Sequence, residues 1–438
     1  MNTIRAQLRK LSPKAVISIL RKVFALPAPA ARLILNDVTR PRKSHSSWIY
    51  KVKPLKNQHQ DWTGCWIGEN IKHLNEEDLY KRVQEADIVL FFVHGGGFRI
   101  GSCTMYMDTH IAWIKALKEK HNLNCMIMSV DYRLAPEYRY PSPVEDVVKA
   151  YEHLLEKLNV KAEKIVVAGD SAGAALLLEM LFITHDPSMF EIITEEEGKD
   201  IAQQPTLYAL PRPAGSVFIS PLVTDETTSE SWRINQKHDY ITDYTAKVIK
   251  RDYFGKVDYR TAATNDEEQA ERILGIAKLE TGFRDFLPAE VLMYIGNLEV
   301  LRDDALQLAM KAEQDGVVWQ TVAEDFVHDW FCVREVVKDK AALANADAVF
   351  ADFCYRTISR NSFSTQCQLT PRESTLLETV HEEGEESDSE SVSVTTSTPF
   401  GSSSMLEFRL SKLAGLHDSK TSVTPRPSSK CSSEIVFV

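Results

Sequence analysis

Residues 164–173 read Lys164-Ile165-Val166-Val167-Ala168-Gly169-Asp170-Ser171-Ala172-Gly173. The apolar run Ile165 to Ala168 has the length and composition of a buried strand, and Ala172 to Ile183 reads as an apolar helix directly behind it. A serine flanked two residues away on each side by glycine, at a strand-to-helix junction, is G-x-S-x-G in the context that gives the pattern meaning. The turn is too sharp to admit side chains at the flanking positions, and the helix that begins there aims free N–H groups and its positive dipole end beside the serine. Ser171 is therefore read as a nucleophile, with the Ala172 N–H as a donor to developing negative charge.

Working outward, apolar runs at Ile88 to Val93, Cys125 to Val130, Val217 to Ile219, Val291 to Ile295 and Val318 to Val322 read as further strands. Helices fit 144–158, 304–314 and 346–355. Near-continuous apolar strands alternating with amphipathic helices predict an α/β fold, a mostly parallel sheet with helices on both faces. Residues 184–214 and 224–285 break the rhythm and are expected to be insertions above the C-terminal edge of the sheet.

The strand 88–93 runs into His94-Gly95-Gly96-Gly97-Phe98. Glycines let a backbone approach an acyl carbonyl closely, so Gly95, Gly96 and Gly97 are read with Ala172 as an oxyanion hole, and His94 as a brace for the loop. A phosphate-cradling loop is the competing reading, but the Lys-Ser/Thr that would follow the last glycine is missing. On this kind of sheet the acid and then the histidine follow the serine along the chain. His328 lies just past the last strand; His381 and His417 fall in a polar tail, and His185 and His238 precede the acid. Its neighbours Glu324, Asp325 and Asp329 read as surface charges. The first carboxylate beyond the strand 291–295 is Glu299. Asp303, a few residues on, reads as a cap for its own helix.

With these motifs in place, HGGGF, Asp131-Tyr132-Arg133-Leu134-Ala135-Pro136-Glu137 and GDSAG together resemble the hormone-sensitive-lipase branch of the α/β-hydrolase fold. The resemblance runs over about 87–355. It implies a cap, here matched by residues 1–75 and 224–285, on a catalytic domain at 76–357. It also implies that His94, Asp131 and Asp170 support the active-site loops, and that Ser171, His328 and Glu299 act as a triad. Within the branch, the Glu of the Gly296-Asn297-Leu298-Glu299-Val300-Leu301-Arg302-Asp303 loop and the basic N-terminal arm look most like fungal steryl acetyl hydrolases, with arylacetamide deacetylases as relatives. The implied reaction is hydrolysis of a hydrophobic ester, of an acetylated sterol or similar alcohol; a broad short-chain carboxylesterase or arylacetamide deacetylase is the alternative, and a non-catalytic ligand receptor of the same fold is disfavoured by the presence of His328. Many members have Asp where this chain has Glu299.

The ends differ from the body. With 44% apolar and 26% charged residues in 438 the chain has the composition of a folded protein, but its net charge of −11 is unevenly spread. Residues 1–45 hold ten Lys or Arg against one acid, Asp37. An acidic body with one short basic arm argues against a nucleic-acid partner. In that arm Ile4, Leu8, Leu11, Val16, Ile17, Leu20 and Phe24 recur at helical spacing among basic residues. The stretch fits either an in-plane contact with anionic lipid or a lid packed on the body. It is too short in apolar residues to span a bilayer. Residues 358–438, rich in Ser, Thr and Glu, read as a disordered tail. Seven scattered cysteines without ligand spacing predict a reduced chain with neither metal nor other cofactor, placed in the cytoplasm or on the cytoplasmic face of a membrane such as the endoplasmic reticulum.

Overall fold

Eight strands form one sheet in the order β1-β2-β4-β3-β5-β6-β7-β8. They are β1 (Ile49–Val52), β2 (Thr63–Ile67), β3 (Ile88–Val93), β4 (Cys125–Asp131), β5 (Ile165–Asp170), β6 (Gly215–Ile219), β7 (Glu290–Gly296) and β8 (Val318–Glu324). The structure, a computed structural model, describes residues 10–52, 62–187, 209–255 and 275–369. Ile4, Leu8, most of the insertion expected at 184–214, part of the cap and the tail from 370 lie outside the described residues.

β3 and β5 to β7 are wholly buried, as expected of strands covered on both faces. They pair in parallel, β1 and β2 antiparallel. β1, at the edge of the sheet, and β2 beside it escape the sequence reading because they are short and mix polar with apolar residues. The chain turns from β3 outward to β4, then returns past β3 to β5. Strand order thus reverses between β3 and β5, the crevice where open α/β sheets place their sites. Registers bring the ends together: Val93 lies opposite Gly169, Asp170 opposite Ile219, and Gly296 opposite Glu324.

Among the described residues the α-helices of six residues or more are α1 (Pro13–Phe24), α2 (Ala28–Thr39), α3 (Glu76–Gln84), α4 (Met107–His121), α5 (Ser142–Glu152), α6 (Ser171–His185), α7 (Glu230–Asn235), α8 (Asp243–Phe254), α9 (Arg302–Gln314) and α10 (Lys340–Leu369). α6 is apolar on every side and almost entirely buried, as the central helix of such a fold must be. α10 runs through the boundary placed at 357: Ile358 is buried and Arg360 pairs with Glu290. The helix therefore continues past the boundary that composition suggests, held by packing and an ion pair rather than by propensity.

The apolar stripe of α1 faces inward, with Val16, Ile17, Leu20 and Phe24 packed on the body and Val23 buried. Arg32 of α2 donates to the carbonyls of Arg99 and Ala135 and pairs with Glu137. The described part of the N-terminal arm is a two-helix lid. Among the described residues no helix is long and apolar enough to cross a membrane.

Candidate active site

Ser171 stands at the β5–α6 junction in the left-handed region, φ 49°. The flanking glycine is dictated by close approach: a Cβ on Gly173 would lie 2.1 Å from the Val93 carbonyl oxygen. The loop after β3 is equally tight. Gly96 has φ 106°, and a Cβ there would meet the Ile100 carbonyl oxygen at 2.2 Å, so that loop fits only with glycine. α8 closes over it, with Ile249 against Gly97, the Tyr253 ring stacked on Phe98 at 3.8 Å, and Asp252 bound to Arg99 at 2.7 Å.

Gly95 departs from the expected role. Its N–H donates to Asp170 Oδ1 at 2.9 Å, while Tyr106 OH donates to Oδ2 at 2.8 Å. That amide is committed to tying the loop to the elbow, which leaves Gly96, Gly97 and Ala172 as the amides available to an oxyanion. His94 braces the loop: its Nδ1–H donates to the Gly95 carbonyl at 2.8 Å and its ring stacks on Tyr132 at 4.5 Å. Asp131 accepts from the Cys103 N–H at 2.5 Å and lies 3.9 Å from His94 Nε2.

The fold brings Ser171, His328 and Glu299 together. His328 Nε2 is 2.9 Å from Ser171 Oγ, and Nδ1 faces Glu299 Oε2 at 3.5 Å. All three are buried. Glu299 Oε2 also accepts from Ser220 Oγ at 2.6 Å. Asp303, by contrast, binds Arg302 and takes the Ser231 N–H at 2.7 Å, so it caps α7 rather than its own helix.

Asp329 corrects the sequence reading most sharply. It is a buried residue, not a surface charge, in the left-handed region at φ 56°. Its Oδ2 lies 3.2 Å from His328 Nε2 and accepts from Tyr240 OH at 3.3 Å, and its N–H donates to Ser220 Oγ at 3.0 Å. Ser220, Tyr240 and Asp239 were missed with it. Ser220 was the most findable, since it directly follows a predicted strand beside the one that carries the acid.

Burial alone would lower the His328 pKa, but Asp329 and Glu299, and more distantly Asp239, outweigh it and push the imidazole up to about 10. Burial raises Asp170 to about 6 despite the bonds from Tyr106 and Gly95, and raises Asp239 to about 6 as well.

A cavity of about 170 Å³ lies between the lid and the body. Ile19, Leu20, Val23, Ile34 and Leu35 line it from α1 and α2, and it reaches Gly96, Tyr240 and Asp329.

This combination of sheet, elbow, glycine loop and Ser-His-Glu cluster defines a class. The family described as the alpha/beta hydrolase fold matches residues 90–332, over half the chain, and the chain belongs to that family. An esterase of Acinetobacter venetianus is 31% identical over 239 residues, 54% of this chain and 65% of that protein. The arylacetamide deacetylase of Rattus norvegicus is 38% identical over 92 residues, 20% of this chain and 22% of that protein. The chain thus spans less than two thirds of the length of these curated relatives. In fold it is similar to a solved esterase of the bacterial hormone-sensitive-lipase family, with TM-score 0.55 and 23% identity, covering 79% of this chain and 98% of that one.

Proposed function

We propose that this chain is a serine-type carboxylic ester hydrolase working through an acyl-enzyme. The observation that carries the reading is the 2.9 Å contact between His328 Nε2 and Ser171 Oγ, with the Glu299 carboxylate across the other ring nitrogen. Ser171 Oγ attacks the ester carbonyl carbon as its proton passes to Nε2. The C=O electron pair moves onto the oxygen, which the Gly96, Gly97 and Ala172 amides stabilise. Collapse expels the alcohol, protonated by the imidazolium, and water repeats the sequence to release the acid. Each oxyanion donor is worth on the order of 3 kcal/mol.

The cavity's apolar wall supports an ester of a bulky apolar alcohol. The named deacetylase relative supports a short acyl group, so acetylated sterols and similar alcohols are the substrates we infer. The test is hydrolysis of acetyl to dodecanoyl esters of small aryl and steryl alcohols by the wild type and Ser171→Ala, with organophosphonate labelling in parallel. Preference for acetyl on bulky alcohols, and loss of both turnover and labelling in the variant, are expected. Equal rates on small aryl esters would favour a broad short-chain carboxylesterase. Full labelling of another serine would overturn the nucleophile.

The lid's outer face supports a peripheral membrane contact. Leu11, Ile19, Leu33 and Ile34 are exposed there, with Lys10, Lys14, Lys22, Arg40 and Lys43 also exposed on the arm. Ile19 and Ile34 also line the cavity, so an apolar ester held in a bilayer would meet the site from this side.

A further inference from the structure

Ser231, Asn235 and Asp239 lie in and just beyond α7, outside the triad, yet all three grip the loop that carries Glu299. Asn235 Nδ2 donates to the Glu299 carbonyl at 2.9 Å and to the Asn297 carbonyl at 3.1 Å. Asp239 Oδ2 accepts the Val300 N–H at 2.9 Å. The Glu299 carbonyl and the Val300 N–H belong to one peptide unit, so both of its polar groups are held by side chains from a single five-residue stretch. Ser231 Oγ adds a bond to the next carbonyl, that of Val300, at 2.6 Å. Asn235 and Asp239 are buried, where a hydrogen bond left unmade is costly.

The clamp also reaches the lid. Arg21 of α1 donates from Nε to the Asp239 carbonyl at 3.1 Å and from Nη2 to the Gln236 carbonyl at 3.0 Å. A direct chain of bonds therefore runs from the N-terminal helix through Asp239 to the peptide that sets the direction of the Glu299 side chain.

We propose that Asn235 and Asp239 are positioning residues that aim Glu299 at His328 by clamping the Glu299–Val300 peptide, and that Arg21 makes the N-terminal helix part of this clamp. The inference rests on the ester-hydrolase reading. A displacement of about 1 Å in a catalytic group can cost on the order of 10²-fold in rate, and Glu299 already stands 3.5 Å from Nδ1, so little slack remains.

The experiment is a double-mutant cycle on the full chain with a small aryl acetate, recording kcat, KM and Tm. Asn235→Ala removes the donor without changing charge. It is expected to lower kcat by about 10- to 100-fold with KM within about twofold, since it touches no part of the cavity. Arg21→Gln should give a smaller loss in the same parameter. In a Glu299→Gln background neither substitution should lower kcat further, because its route to the chemistry is already cut. Losses that multiply in that background, as general destabilisation would give, overturn the proposal. An unchanged kcat in Asn235→Ala overturns it too, and an unchanged Arg21→Gln overturns the link to the lid. Failure of the ester-hydrolase reading looks different, since the wild type would then not hydrolyse the aryl acetate, or Ser171→Ala would leave its rate intact.

Discussion

The carboxylate of Asp329 lies 3.2 Å from Nε2 of His328, the same ring nitrogen that meets Ser171 Oγ at 2.9 Å. The histidine thus carries one carboxylate on each side, Glu299 behind it and Asp329 on the side of the Ser171 hydroxyl. Both favour the imidazolium, which cannot take a proton from serine. The cluster stores charge stabilisation useful after proton transfer, at the cost of a smaller population of base at neutral pH.

The first prediction follows from that charge. With His328 pushed up to about 10, kcat/KM should climb through the alkaline range as the imidazolium deprotonates. Asp329→Asn removes a negative neighbour, destabilises the imidazolium and lowers its pKa. The acid limb of the profile should therefore move to lower pH, by about one unit or more for a charge this close. Rate profiles from pH 6 to 10 for both proteins decide it, and superimposable limbs would show that Asp329 does not govern the base.

A second prediction concerns the glycine loop. Gly96→Ala places a methyl group 2.2 Å from a backbone oxygen at a φ of 106°, so the loop must shift. Losing one oxyanion donor costs about 10²- to 10³-fold in kcat. A loss of that size with KM nearly unchanged is expected in steady-state kinetics. Gly95→Ala should also fail, but through the Asp170 tie, and with a clearer drop in Tm, because its Cβ would strike that carboxylate.

How much of this was legible beforehand follows from how local each signal is. Ser171 and the glycine loop are short contiguous patterns whose strand and helix context is written beside them. β3 to β7 show as near-continuous apolar runs because both faces of the sheet are covered there, whereas β8 at the edge mixes polar with apolar residues. Asp329 could not be read this way. Its burial depends on Tyr240 and Ser220, 89 and 109 residues distant in the chain, and without them an acid next to another acid-rich stretch looks solvated. Asn235 and Asp239 were hidden for the same reason. In the arm, spacing revealed the apolar stripe of α1 but not its partner, which is the body of the protein.

The third prediction separates lid from membrane contact. With its inward stripe engaged, α1 leaves only Ile19 exposed among its large apolar side chains, near Leu11 just before the helix and Leu33 and Ile34 of α2. At about 1 kcal/mol per basic residue near an anionic surface, the exposed lysines and arginines would hold the protein on vesicles at low salt. Flotation with phosphatidylserine vesicles should recover the wild type and lose it as salt rises, while Leu11→Asp/Leu33→Asp, which spares the cavity lining, should float poorly yet keep its hydrolysis of a soluble ester. Equal flotation of the two proteins would remove the membrane reading and leave the lid alone.

The last prediction distinguishes the two carboxylates of the loop after β7. Glu299 faces His328 Nδ1 at 3.5 Å and is wholly buried, while Asp303 spends its oxygens on Arg302 and the Ser231 N–H at 2.8 and 2.7 Å. In Glu299→Gln the position of Oε2, which meets both Nδ1 and Ser220 Oγ, is taken either by the amide oxygen or by the NH₂. Ser220 Oγ now donates to Glu299 while accepting from Asp329 N–H. An NH₂ facing Nδ1 would hold the proton on Nε2, the tautomer that cannot accept from serine, as in the roughly 10⁴-fold effect of the equivalent serine-protease change. Glu299→Gln should therefore lower kcat by a few orders of magnitude with little change in Tm. Asp303→Asn keeps an oxygen for Ser231 and loses only the Arg302 pair, so most of the activity should survive with a stability loss of about 1 kcal/mol, the worth of a helix cap. Measuring kcat and Tm for both variants settles the assignment, and a large kcat loss confined to Asp303→Asn would reverse it.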